Sequence, residues 1–353
     1  MTRAVPGVSI CLPTYNGARY LRECLASALA QTHGDFELVV VDDRSTDETM
    51  DIIRDVAHAD SRVRVFENDA NLGLVGNWNR CIELSSAPWI KFVFQDDLLA
   101  TDCVRHLLDA AAAGFPLISC ARDFLFQGDA TPETKAPYLR NRALLDGIYA
   151  GSFAMDAHAF CEATLDHIGI NLVGEPTAVL LHRDVFRRFG TFDPRLAMYC
   201  DAEYWSRVAC NTGTMHVPDV LATFRVHAEA TSARNVASRA FRANALDKLL
   251  IHHELAFADA YAPLRVVARA RTPPVDLEAL FWERAHWARW HARRAASGTV
   301  DPDPGSLRAW EEFVTLVPRV TSTPLKARAM RVGRGIARRL RRFAASEAGA
   351  AKP

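Results

Sequence analysis

Apolar, β-branched runs alternate with stretches of helical periodicity along the first 120 residues, and this alternation constrains the fold more than any other feature. The strand-like runs are Val8–Leu12, closed by Pro13, then Phe36–Val41, Val63–Phe66, Trp89–Phe94 and Leu117–Ala121. Between the first two, Leu21, Cys24, Leu25 and Ala28 recur at helical spacing. Ser45 and Glu48 have the spacing of a capping box, which predicts a helix from there to about Ala57. Gly73–Leu84 and Thr101–Ala113, the latter ended by Gly114, read as two more helices. A β-α-β-α order of this kind predicts an α/β fold: a doubly wound, mostly parallel sheet with helices on both faces. From about Phe124 to Gly174 the pattern loosens into what reads as a long loop region, a length that usually serves a site. Strand character returns at Thr177–Leu181, Met215–Val217 and Leu221–Val226, with short helices at Arg183–Phe189 and Ala202–Cys210. After about Ala237 nearly everything reads helical. The expected division is a sheet domain over 1–230 and a helical region over 231–353.

In open α/β sheets, ligands bind beyond the carboxyl ends of the strands. Three predicted strands deliver polar groups there: Pro13, Thr14, Tyr15 and Asn16 after the first, Asp42 and Asp43 after the second, Gln95, Asp96 and Asp97 after the fourth. Adjacent carboxylates are costly to hold together unless something positive neutralises them. One such pair is as readily a helix cap or a solvated turn. Two pairs at one edge point to a divalent cation gripping a nucleoside diphosphate. No G-x-G-x-x-G follows the first strand and no G-x-x-x-x-G-K-[ST] occurs, which argues against a dinucleotide dehydrogenase and a P-loop NTPase.

The segments VSICLPTYNGARYLRECLASALAQTHGDFELVVVDDRSTDET and NDANLGLVGNWNRCIELSSAPWIKFVFQDD resemble the nucleotide-sugar domain of family 2 glycosyltransferases, of GT-A fold. The resemblance spans roughly Val8–His227. It implies that Pro13, Thr14, Tyr15, Asn16 and Asp42 line the base and ribose pocket. It also implies that Asp96 and Asp97 form the D-x-D equivalent, with Asp97 the metal ligand. Gln95 stands where many members carry a first acid, and Arg44 where many carry glycine. GEPTAVLLHRDVFRRFGTFDPRLAMYCDAEYWSRV resembles the family's acceptor-side segment, whose Glu-Asp pair reads Cys200-Asp201 here. Asp201 is the implied general base and Glu203 the runner-up, although Asp201 taken alone reads as a helix N-cap. His227, in Arg225-Val226-His227, stands where the family often places a metal- or diphosphate-binding histidine; a lone histidine is otherwise structural. Glu175 either shapes the acceptor pocket or is a capped loop acid. Asn71, Gly73, Asn77 and Asn79 are expected to fix the turn and helix beneath the diphosphate.

The activity so implied is a metal-dependent, inverting transfer of a sugar from a nucleoside diphosphate to an acceptor hydroxyl, in bacterial surface polysaccharide or glycolipid synthesis. The cofactor is Mn²⁺ or Mg²⁺, with His227 favouring Mn²⁺. A UDP- or dTDP-sugar is expected ahead of a GDP-sugar, with a glycan or lipid-linked acceptor. The alternative, raised by Gln95 and Cys200, is a catalytically silent member that binds a nucleotide sugar or glycan. A sugar-nucleotide pyrophosphorylase would need a glycine- and arginine-rich loop, which Thr14–Tyr20 is not.

The zero net charge of the 353 residues hides a split. Residues 1–230 hold 20 basic and 31 acidic side chains, and residues 231–353 hold 22 and 11, giving −11 and +11. In 325–343, Leu325, Ala329, Val332, Ile336, Leu340 and Phe343 fall on one face at helical phase, and lysine and arginines fill the rest. Such a helix is expected to lie on an anionic membrane surface, or else to pack on its own domain; nucleic acid is not an expected partner. No apolar run reaches 18 residues and no apolar signal core opens the chain, so a cytoplasmic protein, peripheral on the inner membrane face, is expected. The eight scattered cysteines read as reduced packing residues.

Overall fold

β1 (Val8–Thr14) and β2 (Phe36–Asp42) are buried along their whole length, the mark of strands covered by helices on both faces. The computed structural model describes residues 5–128, 131–150, 153–230, 241–297 and 305–322. The chain forms two compact units, residues 1–238 with 258–275, and residues 239–257 with 276–353.

The first unit is built on one sheet. It continues with β3 (Val63–Glu67), β4 (Trp89–Phe92), β5 (Leu98–Leu99), β6 (Leu117–Phe126), β7 (Ala154–Met155), β8 (Val179–His182) and β9 (Thr214–Val226). The order across the sheet is β3-β2-β1-β4-β8-β6-β9-β5, with β7 added on β9. β1 runs parallel to β2 and β4, and β2 parallel to β3, whereas β8 is antiparallel to both β4 and β6. The sheet is therefore mixed: β3-β2-β1-β4 is all parallel, and β6 with β9 adds a second parallel pair beyond β8. Thr14 pairs with Asp42 and Asp42 with Glu67, so three strands end level and deliver their following loops to one edge.

The helices between these strands are α1 (Ala18–Leu29), α2 (Thr49–Ala59), α3 (Gly73–Leu84) and α4 (Cys103–Ala111). The capping box does not form. α2 begins at Thr49, because the Ser45 hydroxyl donates to Asp42 Oδ1 at 2.5 Å instead of capping the helix. The stretch read as a loop region also carries structure: α5 (Pro132–Tyr149) and α6 (Ala157–Asp166) lie within it. α5 escaped the periodicity reading because it buries only Leu145 and Tyr149, and Pro137 sits inside it. α7 (Asp184–Phe189) and α8 (Cys200–Thr212) follow β8. α8 is the most buried of these, with Trp205 and Tyr204 fully enclosed. Residues 258–275, including α10 (Ala262–Ala270), close against this part: Tyr261 donates its hydroxyl to Glu203, and Arg271 pairs with Glu162 and Asp166 of α6.

The second unit, on its described residues, is helical: α9 (Asp247–Phe257), α11 (Leu277–Ala296) and α12 (Ser306–Leu316), around Leu249, Leu250, Phe281, Ala288, Ala292 and Phe313. The basic stretch 325–343 lies outside the described residues. No helix among the described residues is long and apolar enough to cross a membrane. All eight cysteines are buried and none forms a disulfide.

Candidate active site

The loop after β1 is held from two sides. Gln95 accepts from the amide of Tyr15 at 2.9 Å and donates to its carbonyl at 3.1 Å, so one side-chain amide clasps both backbone groups of one residue. A carboxylate could take the first bond but not supply the second, which gives Gln95 a physical reason to stand where an acid is common. Gly17 leaves it room, since a Cβ there would fall 2.2 Å from Gln95 Oε1 and push the amide aside. Asn16 has φ 47°, accepts from the amide of Thr46 at 2.7 Å and gives its own amide to Ser45. Pro13 and Thr14 are buried, while Tyr15 stands 42% exposed at the sheet edge, an uncommon position for a large aromatic unless something covers it.

The first acidic pair is neutralised from within. Asp42, fully buried, accepts from the hydroxyls of Thr14 at 3.0 Å and Ser45 at 2.5 Å and from the Ser45 amide at 2.8 Å. Asp43 accepts from Asn68 Nδ2 at 2.9 Å and from the amides of Leu72 and Gly73 at 2.7 and 2.9 Å, sealing the start of α3. Asp42 was expected to line the nucleotide pocket. Its oxygens instead accept from Thr14 and Ser45, bracing the turn after β2. Asn77 works beneath the same loops, donating to the Thr14 and Val41 carbonyls and accepting from Asn68.

The second pair divides its roles. Asp97 is fully buried; Thr177 donates its hydroxyl to Oδ2, and the Arg225 amide donates to Oδ1 at 2.9 Å. Burial, with Asp96 adjacent, holds its carboxyl well above the usual range. Asp96 is partly exposed and meets His227, Oδ2 to Nε2, at 2.9 Å. The expected metal ligand, Asp97, is thus closed off by its two donors, and Asp96 is the carboxylate beside His227. Arg225 braces both: its guanidinium donates to the Asp96 carbonyl and to Glu23, and lies 4.4 Å over the Tyr20 ring. The Tyr20 ring in turn packs 4.9 Å from that of His227. His227 Nδ1 and Tyr20 Oη are buried without a hydrogen-bond partner, which is costly for a polar atom. Among the described residues no three His, Cys, Asp or Glu side chains converge on one point. Asp96 and His227 fit a cation that completes its shell with diphosphate oxygens and water.

The residues expected on the acceptor side, Asp201 and Glu175, meet partners from the 171–177 segment and β6. Asp201, in the first turn of α8, accepts from Asn171 Nδ2 at 3.0 Å. Burial raises its carboxyl from the ordinary 3.8 to about 7; the amide of Ala202 and the Arg122 charge oppose the shift, and Glu175 adds to it. The N-cap of α8 is Tyr199, so Asp201 is not its cap. Glu175 pairs with buried Arg122, whose Nη2 also donates to Asn141 at 2.6 Å. Glu203 does not join them. It is 2% exposed and bound bidentately by Arg207 at 3.0 and 2.5 Å, with Tyr261 on the remaining lone pair. Two positions along α8 from Asp201, it faces the other way, and the runner-up base is a structural ion pair. Sequence reasoning missed Arg122, Asn141, Asn171 and Thr177. Thr177 had a signal, standing two places after Glu175; the others are joined to the site only by folding.

The profile described as Glycosyl transferase family 2 matches residues 9–169. An uncharacterized protein of Mycobacterium tuberculosis (strain CDC 1551 / Oshkosh) is 30% identical over 251 residues, 69% of this chain and 74% of its own length. A PGL/p-HBAD biosynthesis glycosyltransferase of Mycobacterium bovis (strain BCG / Pasteur 1173P2) is 42% identical over 96 residues, 27% of this chain and 38% of that relative. Among solved structures, S. aureus TarS 1–349 in complex with UDP-GlcNAc has a TM-score of 0.59 at 17% identity, covering 89% of this chain and 83% of that one. The mannosyltransferase PcManGT from Pyrobaculum calidifontis, in complex with GDP-Man and Mn²⁺, has a TM-score of 0.50 at 17% identity, covering 89% and 88%. At such identities the two structures speak for the fold alone. The chain belongs to the family 2 glycosyltransferases, and its sheet unit has the GT-A fold.

Proposed function

We propose that the protein is a metal-dependent, inverting glycosyltransferase that moves a sugar from a nucleoside diphosphate to an acceptor hydroxyl of a surface polysaccharide or glycolipid. The observation that carries the reading is Glu175, whose charge bears on both Asp97 and Asp201. Glu175 is thus near both the cation-side and the acceptor-side carboxylates, which supports one shared site for a single displacement at the anomeric carbon. Tyr15 offers the face for the base, and Asn16 and the Asp42-braced turn offer the wall for the ribose. Asp96 and His227 would hold Mn²⁺ or Mg²⁺, which supplies charge neutralisation on the departing diphosphate. Asp201 takes the acceptor proton as attack occurs, and a carboxyl titrating near 7 is suited to that task. A UDP- or dTDP-sugar remains the first choice of donor; the neighbours hold both UDP-GlcNAc and GDP-Man. The lipid-linked or glycan acceptor would be met at the cytoplasmic face of a membrane. A panel of nucleotide sugars with Mn²⁺ and with Mg²⁺, read by thermal shift and then by the anomeric configuration of the product in NMR, tests the whole reading. A retained configuration would overturn the single displacement. A donor that stabilises the protein and is never turned over would favour the silent binding module.

A further inference from the structure

Asn171 makes four hydrogen bonds that leave its amide only one orientation. Its Oδ1 accepts from the amides of Val173 and Gly174 at 3.1 and 2.9 Å. Two donors on that atom fix the other end as nitrogen, and Nδ2 donates to the Gly174 carbonyl at 2.9 Å and to Asp201 Oδ2 at 3.0 Å. The residue is itself braced. Asn141 Nδ2 donates to the Asn171 carbonyl at 3.1 Å, and Asn141 Oδ1 accepts from Arg122, which pairs with Glu175. Trp205 of α8 gives its indole N–H to the same Gly174 carbonyl at 2.9 Å, tying the segment to the helix that carries Asp201. The hydrogen bond is therefore directed from a rigid donor to one chosen oxygen.

We infer that Asn171 is a positioning residue for Asp201, anchoring Oδ2 so that the other carboxylate oxygen is turned to the acceptor hydroxyl and favouring the ionised form that accepts its proton. This rests on the reading of Asp201 as general base and deepens it. The charged and polar groups that face Asp201 are the Arg122 guanidinium and the amide of Ala202 at the start of α8, which favour ionisation, and Glu175, which opposes it. Asn171 is the side-chain donor that touches the carboxylate, so its removal alters the base without moving the ion pair behind it.

The test is the titration of Asp201 itself, followed by carboxyl ¹³C NMR on the full chain and assigned by the signal missing in Asp201→Asn. Asn171→Asp is the informative variant. It keeps an oxygen for the amides of Val173 and Gly174, and Trp205 still serves the Gly174 carbonyl, so the segment retains its shape. Yet it sets a carboxylate where Asp201 had a donor. The Asp201 inflection should rise by about one pH unit or more, as like charges in contact require. Asn171→Ala should move it in the same direction by less, with a lower melting temperature because two amides lose their acceptor. An unchanged inflection in Asn171→Asp would mean that the two side chains do not meet, and one in Asn171→Ala that the donor does nothing for the base; either overturns the inference. Turnover of Asp201→Asn is a separate readout. Full turnover there would remove the base assignment while leaving the measured coupling intact, and loss of turnover with an unmoved inflection would do the reverse.

Discussion

Asp96 and Asp97 are covalent neighbours made different by their surroundings, and substitution should separate them. Asp97→Ala leaves the Thr177 hydroxyl and the Arg225 amide unpaired in the interior, so denaturant melts should show a loss of about 1–3 kcal/mol. Asp96→Asn keeps a hydrogen-bonding atom beside His227 and removes a charge. It should melt like the parent but lose the Mn²⁺-dependent stabilisation by UDP, by at least about tenfold in affinity. The opposite pattern would restore the metal to Asp97. Asp201 gives a pH prediction with a definite sign. Its carboxyl is raised from 3.8 to about 7, so at low pH the folded protein holds a proton that the unfolded chain releases more readily. Its contribution to stability is complete below about 4 and is lost as pH rises through about 7. The melting temperature of the parent should therefore fall over that window relative to Asp201→Asn, while the transfer rate rises, because only the ionised base accepts a proton. A parent rate flat between pH 5 and 8 would remove the base assignment. Arg44 has φ 67°, a conformation suited to glycine, and spends its guanidinium on an exposed pair with Glu67. Arg44→Gly should be more stable than Arg44→Ala by about 1 kcal/mol, the reverse of their order within a helix.

At the scale of elements, the clasp between Gln95 and Tyr15 couples the loop after β1 to the loop after β4, and Gly17 leaves the room it needs. Gly17→Ala should push the Gln95 amide aside, so it and Gln95→Ala should each weaken UDP binding, and the double variant should be no worse than either alone. Calorimetry on that cycle would show additive losses if the two residues acted independently. The elements easiest to read from the chain were those buried on both faces. β1 and β2 show as apolar runs interrupted by Ser9 and Glu37, which hydrogen-bond to each other, and Gly73–Leu84 reads as a helix over the observed span of α3, whose buried positions recur at helical spacing. α5 was invisible because it buries too little to leave a periodic mark, and Ser45 was misread because its hydroxyl had a stronger partner in Asp42 than in a helix end. The site was legible where strands carry residues to an edge in sequence order, as with Tyr15, Asp96 and His227. It was illegible where partners meet across 30 residues or more, as Asn171 meets Asp201 and Arg122 meets Glu175. No local pattern marks such a residue, because its role is set by which loop lies opposite.

For the molecule as a whole, charge is unevenly distributed along the chain. Residues 1–230 carry −11 and residues 231–353 carry +11, and much of the excess falls in 325–343, where Lys326 and the arginines alternate with Leu325, Ile336, Leu340 and Phe343 at helical phase. An acidic sheet unit is repelled by an anionic bilayer, so attachment would have to come from the basic end. Basic residues near such a surface contribute about 1 kcal/mol each, and a helix can turn only part of its circumference to the headgroups. Four or five of the eight basic side chains would give roughly 4–5 kcal/mol, enough for reversible attachment and short of permanent anchoring. The full chain should therefore co-sediment with vesicles containing phosphatidylserine and not with neutral ones, and release as ionic strength rises, because the charge contribution is screened. Arg338→Glu with Arg342→Glu should abolish sedimentation without changing donor binding, since neither residue belongs to the sheet unit. Equal sedimentation with neutral and anionic vesicles, or none with either, would overturn the electrostatic attachment argued from 325–343.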